Sequence, residues 1–67
     1  MMNEIQARET MTEALRPHAL ETGELAARVT ATLVAGKYGS FYIERKCVNV
    51  RSNGGVTIEP LDPTHPH

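Results

Sequence analysis

The chain has 67 residues, a net charge of −1 and a single cysteine. This length fits one domain, whose core is small enough that association with other chains commonly assists folding. One cysteine excludes an internal disulfide, and no apolar stretch reaches the roughly 18 residues that a membrane span needs. Without a signal-peptide pattern either, the sequence predicts a cytoplasmic protein with no membrane segment and, for stability, a homodimer.

The first 22 residues predict a helix. Thr10 and Glu13 have the spacing of a capping box, and Met11 and Leu15 fall on one helical face. Pro17 lacks the amide hydrogen that an interior helical position needs, so it either ends the helix near Leu15 or opens a second short one. The residues before Thr10 carry a weaker helical pattern.

Residues 24–34 fit two templates. Apolar and polar residues alternate over the whole segment, which is typical of a strand. Glu24 and Arg28 nevertheless have the spacing of a helical ion pair, Gly36 suits a helix C-cap, and apolar residues recur every fourth position at Leu25, Val29 and Leu33. The β-branched residues within 29–32 and the break at Gly23 favour the strand, while the helix stays open as the alternative.

The last part of the chain predicts a β-hairpin. Asn53 and Gly54 tolerate the positive φ angles of a two-residue type I′ loop. Apolar residues spaced by two flank the loop on each side, at Val48 and Val50 and at Val56 and Ile58. Pro60 cannot donate a hydrogen bond to a neighbouring strand, so the last strand is expected to be an edge or to stop there.

The apolar phase changes between Phe41 and Val48. Phe41 and Ile43 occupy odd positions, whereas Val48 and Val50 occupy even ones. A single regular strand cannot change parity, so either a β-bulge lies near Arg45 or two strands meet at a bend there.

These patterns predict an α+β fold: an N-terminal helix packed on a small antiparallel β-meander of about three strands. Two helices followed by a β-hairpin are the alternative. Residues 11–60 form the predicted single domain, residues 1–10 are a candidate frayed N-terminal extension, and residues 61–67 are a predicted flexible tail rich in proline and histidine.

Charge is unevenly distributed along the chain. Residues 28–51 hold five basic residues against one acid, a net charge of +4, and all three aromatic residues fall in the same block. Sheets combine such residues to hold phosphates and stack bases, and the same charges can orient a protein partner. The candidate patch for an anion, a nucleic acid or a protein partner comprises Lys37, Tyr38, Tyr42, Arg45, Lys46 and Arg51.

No catalytic or cofactor motif emerges. Cys47 has no histidine nearby to activate it and is predicted to be a small buried residue. Among His18, His65, His67 and Cys47, the tail has one closely spaced pair, His65 and His67, but no second pair opposite it as a structural zinc site requires. The sequence therefore predicts no enzyme, no cofactor and no metal site.

The predicted function is a small non-enzymatic interaction module that self-associates as a dimer and docks a protein partner. A nucleic-acid-binding module that uses the basic and aromatic sheet face is the alternative. A winged-helix-like regulator with Asn53 and Gly54 at the wing tip requires residues 24–34 to be helical, and its recognition helix would then carry Arg28 as its one basic residue.

Overall fold

The structure, a computed structural model, describes residues 1–61. Its elements run in the order α1 (Glu4–Leu15), a 3₁₀ turn (Arg16–His18), α2 (Gly23–Ala35), β1 (Gly39–Ile43), β2 (Lys46–Val50) and β3 (Val56–Pro60). The three strands form one antiparallel sheet in chain order, β1-β2-β3. The predicted α+β fold is confirmed, with two helices and a three-strand meander.

Helix α1 begins six residues before the predicted cap. Asn3 caps it: the Gln6 N–H donates to Asn3 Oδ1 at 2.8 Å, and the Asn3 N–H donates back to Gln6 Oε1 at 3.4 Å. The capping box predicted at Thr10 is wrong, because Thr10 lies inside the helix. Residues 4–10, considered above as an extension, form the first turns of α1, and Ala7 is fully buried.

Helix α1 ends just before the proline, as predicted. The α-helix stops at Leu15, and Pro17 occupies the 3₁₀ turn that follows. A proline in the next helical turn would clash with the carbonyl four residues earlier, so the chain tightens and then turns at Ala19, whose φ is 58°. His18 in this turn is exposed.

Residues 24–34 are helical, so the preference for a strand is wrong and the alternative is correct. Both helical signals are realised: Arg28 donates to Glu24 at 2.8 Å, and Gly36, with φ 69°, caps the C-terminus through its N–H. Burial explains the outcome, because a helix puts the apolar residues at four-residue spacing into the core together. Val29 is 0% exposed and Leu33 is 2% exposed. Their packing outweighs the strand preference of the β-branched residues.

The three strands all come from residues 39–60. The parity change reflects two strands that meet at a turn, since Ile43 pairs with Lys46 across Glu44 and Arg45. This register places Phe41 opposite Val48 and Val48 opposite Ile58, so all three lie on the sheet face that packs on the helices.

The conformations of the two hairpin loops differ from those that the sequence predicts. Glu44 and Arg45 have φ of 50° and 63°, so the two-residue loop with positive φ lies here. The type I′ loop predicted at Asn53 and Gly54 is wrong: in that loop Gly54 alone has a positive φ, 95°. Residues 52–54 instead form a three-residue loop that is closed by hydrogen bonds between Arg51 and Gly55 and between Gly54 and Arg51.

The core consists of nine buried apolar residues contributed by both layers, and no buried residue among positions 1–61 is polar. Helix α1 packs against α2 and β3, while α2 packs against β1 and β2. The core residues are Ala7, Met11, Leu15, Leu20, Ala26, Val29, Leu33, Val48 and Val50. Of the predicted tail, the structure describes Leu61, whose N–H donates to the Arg45 carbonyl at 2.8 Å; residues 62–67 lie outside the described part.

Candidate interaction surfaces

The strand register divides the predicted basic and aromatic patch between the two ends of the sheet. Lys37 and Tyr38 precede β1 at the end where Gly39 pairs with Val50, and Arg51 lies at the same end. Arg45 and Lys46 lie at the opposite end, beside the two-residue turn. A five-residue strand separates the ends by about 14 Å. The structure therefore places three members of the patch at one end and two at the other, with Tyr42 one position before the pair that flanks the turn.

Lys46 also lies on the other side of the sheet from Tyr42. In the register, Lys46 pairs with Ile43 and Pro60, a row that belongs to the helix-facing side, and its side chain is half-buried. The six predicted residues consequently do not form one continuous surface. The reason is the turn at Glu44, which reverses the chain between Tyr42 and Lys46.

The second side of the sheet carries no helix in the described part of the chain. We call it the open sheet face; its strand residues are Ser40, Tyr42, Cys47, Asn49, Thr57 and Glu59. At its centre Ser40 Oγ donates to Asn49 Oδ1 at 2.7 Å, and the Tyr38 hydroxyl lies 3.2 Å from Ser40 Oγ. Tyr38 and Tyr42 remain 70% and 68% exposed. The face thus presents two accessible aromatic rings around an ordered polar centre.

Strand β1 is one edge of the sheet, and its outer side is unpaired in the described residues. Two exposed tyrosines and Ser40 lie along this edge. Nothing on β1 resembles the usual protections of an edge strand, such as a proline or a lysine within the strand.

Strand β3 is the other edge, and it is protected. Pro60 removes a donor from its last position, as the sequence predicted, and α1 packs against the strand. The Leu61 hydrogen bond to Arg45 ties the chain back to the sheet directly after it. Of the two edges, β1 is therefore the one open to another strand.

A groove of about 630 Å³ runs between the two helices, and no sheet residue lines it. We call it the helical groove. Its floor is largely made of small residues of α2, and Glu4, Arg8 and Met11 of α1 form the facing wall. The α2 residues that line it are Gly23, Ala26, Ala27, Thr30, Ala31, Val34 and Ala35.

The groove is a feature that sequence reasoning missed. As a strand, residues 24–34 would place Ala27 and Ala31 on the same face as Val29. As a helix, they turn to the opposite side, where both are exposed. The available signal was the four-residue spacing of Gly23, Ala27, Ala31 and Ala35, which leaves one side of a helix without large side chains.

The chemical groups outside these surfaces are sparse. Within residues 1–61, no three histidine, cysteine, aspartate or glutamate side chains gather as metal ligands would. Cys47 is half-buried on the open sheet face, where its Sγ lies 3.6 Å from Asn49 Oδ1, so the prediction of a buried cysteine is wrong. His18 is exposed in the 3₁₀ turn, and His65 and His67 lie outside the described residues.

Helix α2 meets the helical condition for a winged-helix-like regulator but lacks the chemistry. Its one basic residue, Arg28, is bound to Glu24 at 2.8 Å. A recognition helix needs side chains that reach phosphates or base edges, and α2 otherwise presents small residues. This class is accordingly not favoured.

Neither α-helix in residues 1–61 combines the length and the apolarity that crossing a membrane requires. Comparison of the chain with models of protein families, with curated proteins and with solved structures finds no match.

Proposed function

We propose that the protein is a small, non-enzymatic, cytoplasmic interaction module that self-associates through the helical groove and docks a protein partner on its sheet. The observation that carries this proposal is the exposed apolar lining of the groove. Ala27 and Ala31 are exposed there, and Val34 is 36% exposed although it is a large apolar residue. Surface of this kind in so small a chain favours contact with another polypeptide.

A second copy of the chain suits the groove. Small residues let two helices approach to the short end of the 8–10 Å range of packed helices, so α2 of one copy could lie in the groove of the other. A twofold arrangement would use the same residues on both copies, which is how most homodimers form. The contact would extend a core that contains nine buried residues within positions 1–61.

Most charges near the groove are paired; Glu21 is the charged lining residue that forms no salt bridge within residues 1–61. On the α1 wall Glu4 binds Arg8 at 2.9 Å, and on α2 Glu24 binds Arg28 at 2.8 Å. Each pair is neutral, so two copies would meet without a net repulsion from these four residues. Exposed pairs of this kind contribute little energy, so the apolar contact would supply most of the affinity.

The test is the oligomeric state of two arginine variants. Ala31→Arg places a charge on the groove floor, whereas Thr12→Arg adds the same charge to α1 outside the groove. We expect sedimentation equilibrium over a concentration series to show a dimer for the wild type and for Thr12→Arg. Ala31→Arg should weaken the dimer at least about tenfold, the equivalent of about 1.4 kcal/mol.

Salt provides a second readout. A dimer held by apolar contact should persist at high ionic strength, because screening acts mainly on exposed charges. A wild-type chain that stays monomeric at high concentration, or an Ala31→Arg variant that dimerises as well as the wild type, would rule out association through the groove.

Nucleic-acid binding is the second candidate, and one observation favours it. Tyr38 and Tyr42 are both well exposed along β1, and Lys37 and Arg51 lie at the Tyr38 end. Aromatic rings beside cations are the parts from which single-strand binding surfaces are built. Lys37→Glu with Arg51→Glu should then abolish binding to a single-stranded oligonucleotide, and wild-type affinity should fall steeply with salt. Absence of oligonucleotide binding by the wild type at low salt would remove this candidate.

A further inference from the structure

We propose that the open edge of β1 accepts an extended acidic segment of another protein as a fourth strand of the sheet. This inference deepens the proposed function, since it rests on the sheet being the partner-binding side and names the chemistry of the partner. It concerns residues 37–45, which are separate from the helical groove.

The backbone groups of β1 point alternately towards β2 and away from it. A two-residue turn closes on a hydrogen-bonded pair, here Ile43 and Lys46, and hydrogen-bonded pairs alternate along an antiparallel ladder. The N–H and C=O groups of Ser40 and Tyr42 therefore point away from β2. The Arg51 N–H, which donates to Gly55 in the β3 direction, shows the same alternation on the other side of β2.

The outer side of β1 is accessible. Helix α2 approaches β1 on its inner face: the position of a Cβ at Gly39 would lie 3.5 Å from the Thr32 methyl group. No backbone hydrogen bond from another described segment reaches the outer side of Ser40 or Tyr42. An extended peptide could thus form main-chain hydrogen bonds with both residues, as in other cases of strand addition.

The side chains along β1 leave room for those of an added strand. Tyr38, Ser40 and Tyr42 occupy alternate positions, so two exposed rings flank a small residue along the edge. The hydroxyl of Tyr38 lies 3.2 Å from Ser40 Oγ, which orders the first ring. Alternate side chains of an added strand would rest against the rings, with the small Ser40 leaving room between them.

The charges at the two ends of β1 select the partner. Lys37 and Arg45 bracket β1, and neither forms a salt bridge within residues 1–61. Glu44 adjoins Arg45 at the turn, so the stronger attraction lies at the Lys37 end. An extended segment with an acidic residue at each end would complement this edge, whereas a basic segment would be repelled.

A second copy of β1 fits this edge less well. Complete antiparallel overlap of two β1 strands places Phe41 opposite Phe41 of the second copy. The same register sets Lys37 opposite Arg45 of the second copy, and like charges directly opposite each other destabilise a strand pair. The charges therefore favour an acidic segment over a second copy at this edge, whereas the second copy is proposed to bind the helical groove.

The test measures binding of two capped seven-residue peptides by isothermal titration calorimetry. Both alternate threonine and valine; one carries aspartate at both ends and the other carries lysine. We expect the acidic peptide to bind at least about tenfold more tightly. Lys37→Glu with Arg45→Glu should reverse this preference.

A pair of variants at Ser40 isolates the backbone contribution. Ser40→Pro and Ser40→Ala both remove the hydroxyl that bonds Asn49, but only proline also removes the outward N–H. We expect Ser40→Pro to weaken acidic-peptide binding at least about tenfold relative to Ser40→Ala. Circular dichroism of both variants checks that the sheet is retained; if proline unfolds it, the reversal of charge preference decides alone.

Equal binding of the two peptides, or an unchanged affinity in a folded Ser40→Pro variant, would overturn the proposal. Binding of an oligothymidylate with no binding of the acidic peptide would overturn it in favour of nucleic acid. The Ala31→Arg variant should bind the acidic peptide like the wild type. Failure of strand addition and failure of self-association are therefore observed separately.

Discussion

In the two hairpin loops of the sheet, the loop with two residues at positive φ is not the one whose sequence predicts it. Asn53 and Gly54 have the composition of a two-residue loop, yet they lie in a three-residue loop where only Gly54 has a positive φ. Glu44 and Arg45 have no such composition, yet both take positive φ angles between paired residues. A residue other than glycine at positive φ costs about 1–2 kcal/mol, and the free energy that fixes the strand register can exceed this cost.

Register is fixed by the core in the first hairpin. Phe41 and Val48 face each other on the helix-facing side, and a shift of one residue would turn either strand's apolar side to solvent. With that pairing fixed, only Glu44 and Arg45 remain to connect the strands. These two residues adopt an unfavourable backbone conformation, because a shifted register would lose more free energy of burial than the turn loses to backbone strain.

The largest expected effect in this comparison is at Gly54. Gly54→Ala must place a side chain at φ 95°, which we expect to destabilise the fold by about 1–3 kcal/mol. Met2 would also have to move, since its Cε lies 2.6 Å from the added Cβ position, but that end of the side chain is flexible. Urea unfolding followed by circular dichroism measures the loss.

Gly55→Ala is the matched control for this change. Gly55 does not have a positive φ, and its nearest neighbour to an added Cβ is Asn53 Oδ1 at 3.3 Å. We expect a clearly smaller loss of stability than at Gly54. Equal losses would show that crowding in the loop, and not the backbone angle, makes glycine necessary there.

The next effect has the opposite sign. Glu44→Asn with Arg45→Gly supplies the residues that positive φ angles favour and should stabilise the fold by about 1 kcal/mol after the entropy cost of glycine. For a domain of this size, such a gain raises Tm by about 4–8 °C. A calorimetric Tm that stays the same or falls would mean that Glu44 and Arg45 contribute contacts that offset their strain.

The smallest expected effect is at Asn53. Its Oδ1 accepts a hydrogen bond from the Gly55 N–H at 3.0 Å on the protein surface. We expect Asn53→Ala to cost about 0.5–1 kcal/mol, since that amide can bond to water instead. Chemical unfolding of the wild type and of Asn53→Ala in parallel provides the measurement. A loss of stability as large as that of Gly54→Ala would contradict the view that the three-residue loop depends mainly on its glycine.

The parts of the fold that could be predicted from sequence are those where local pattern and burial agree. Apolar pairs at Val48 and Val50 and at Val56 and Ile58 identified two strands and their inner face. Residues 24–34 could not be assigned, because alanine satisfies both a strand face and the small side of a helix. Only packing against α1 and the sheet distinguishes the two, and a single sequence does not contain it.

The candidate surfaces were predictable to a lesser degree. The sequence placed both tyrosines in the candidate patch, but their exposure depends on the fold, and the separation of Lys37 from Arg45 depends on where the chain reverses. The turn at Glu44 has no glycine or asparagine to signal it. The helical groove depended in turn on the structure of residues 24–34, so one wrong assignment concealed an entire surface.

The contact between α1 and β3 joins the first and the last of the elements within residues 1–61. Within the sheet, by contrast, neighbouring strands are consecutive in sequence, and such local pairs form rapidly. During synthesis, however, α1 cannot pack against β3 until residues 56–60 have emerged from the ribosome. The packing of α1 is therefore completed only after β3 has been translated, and until then the apolar side of this helix is open to chaperones.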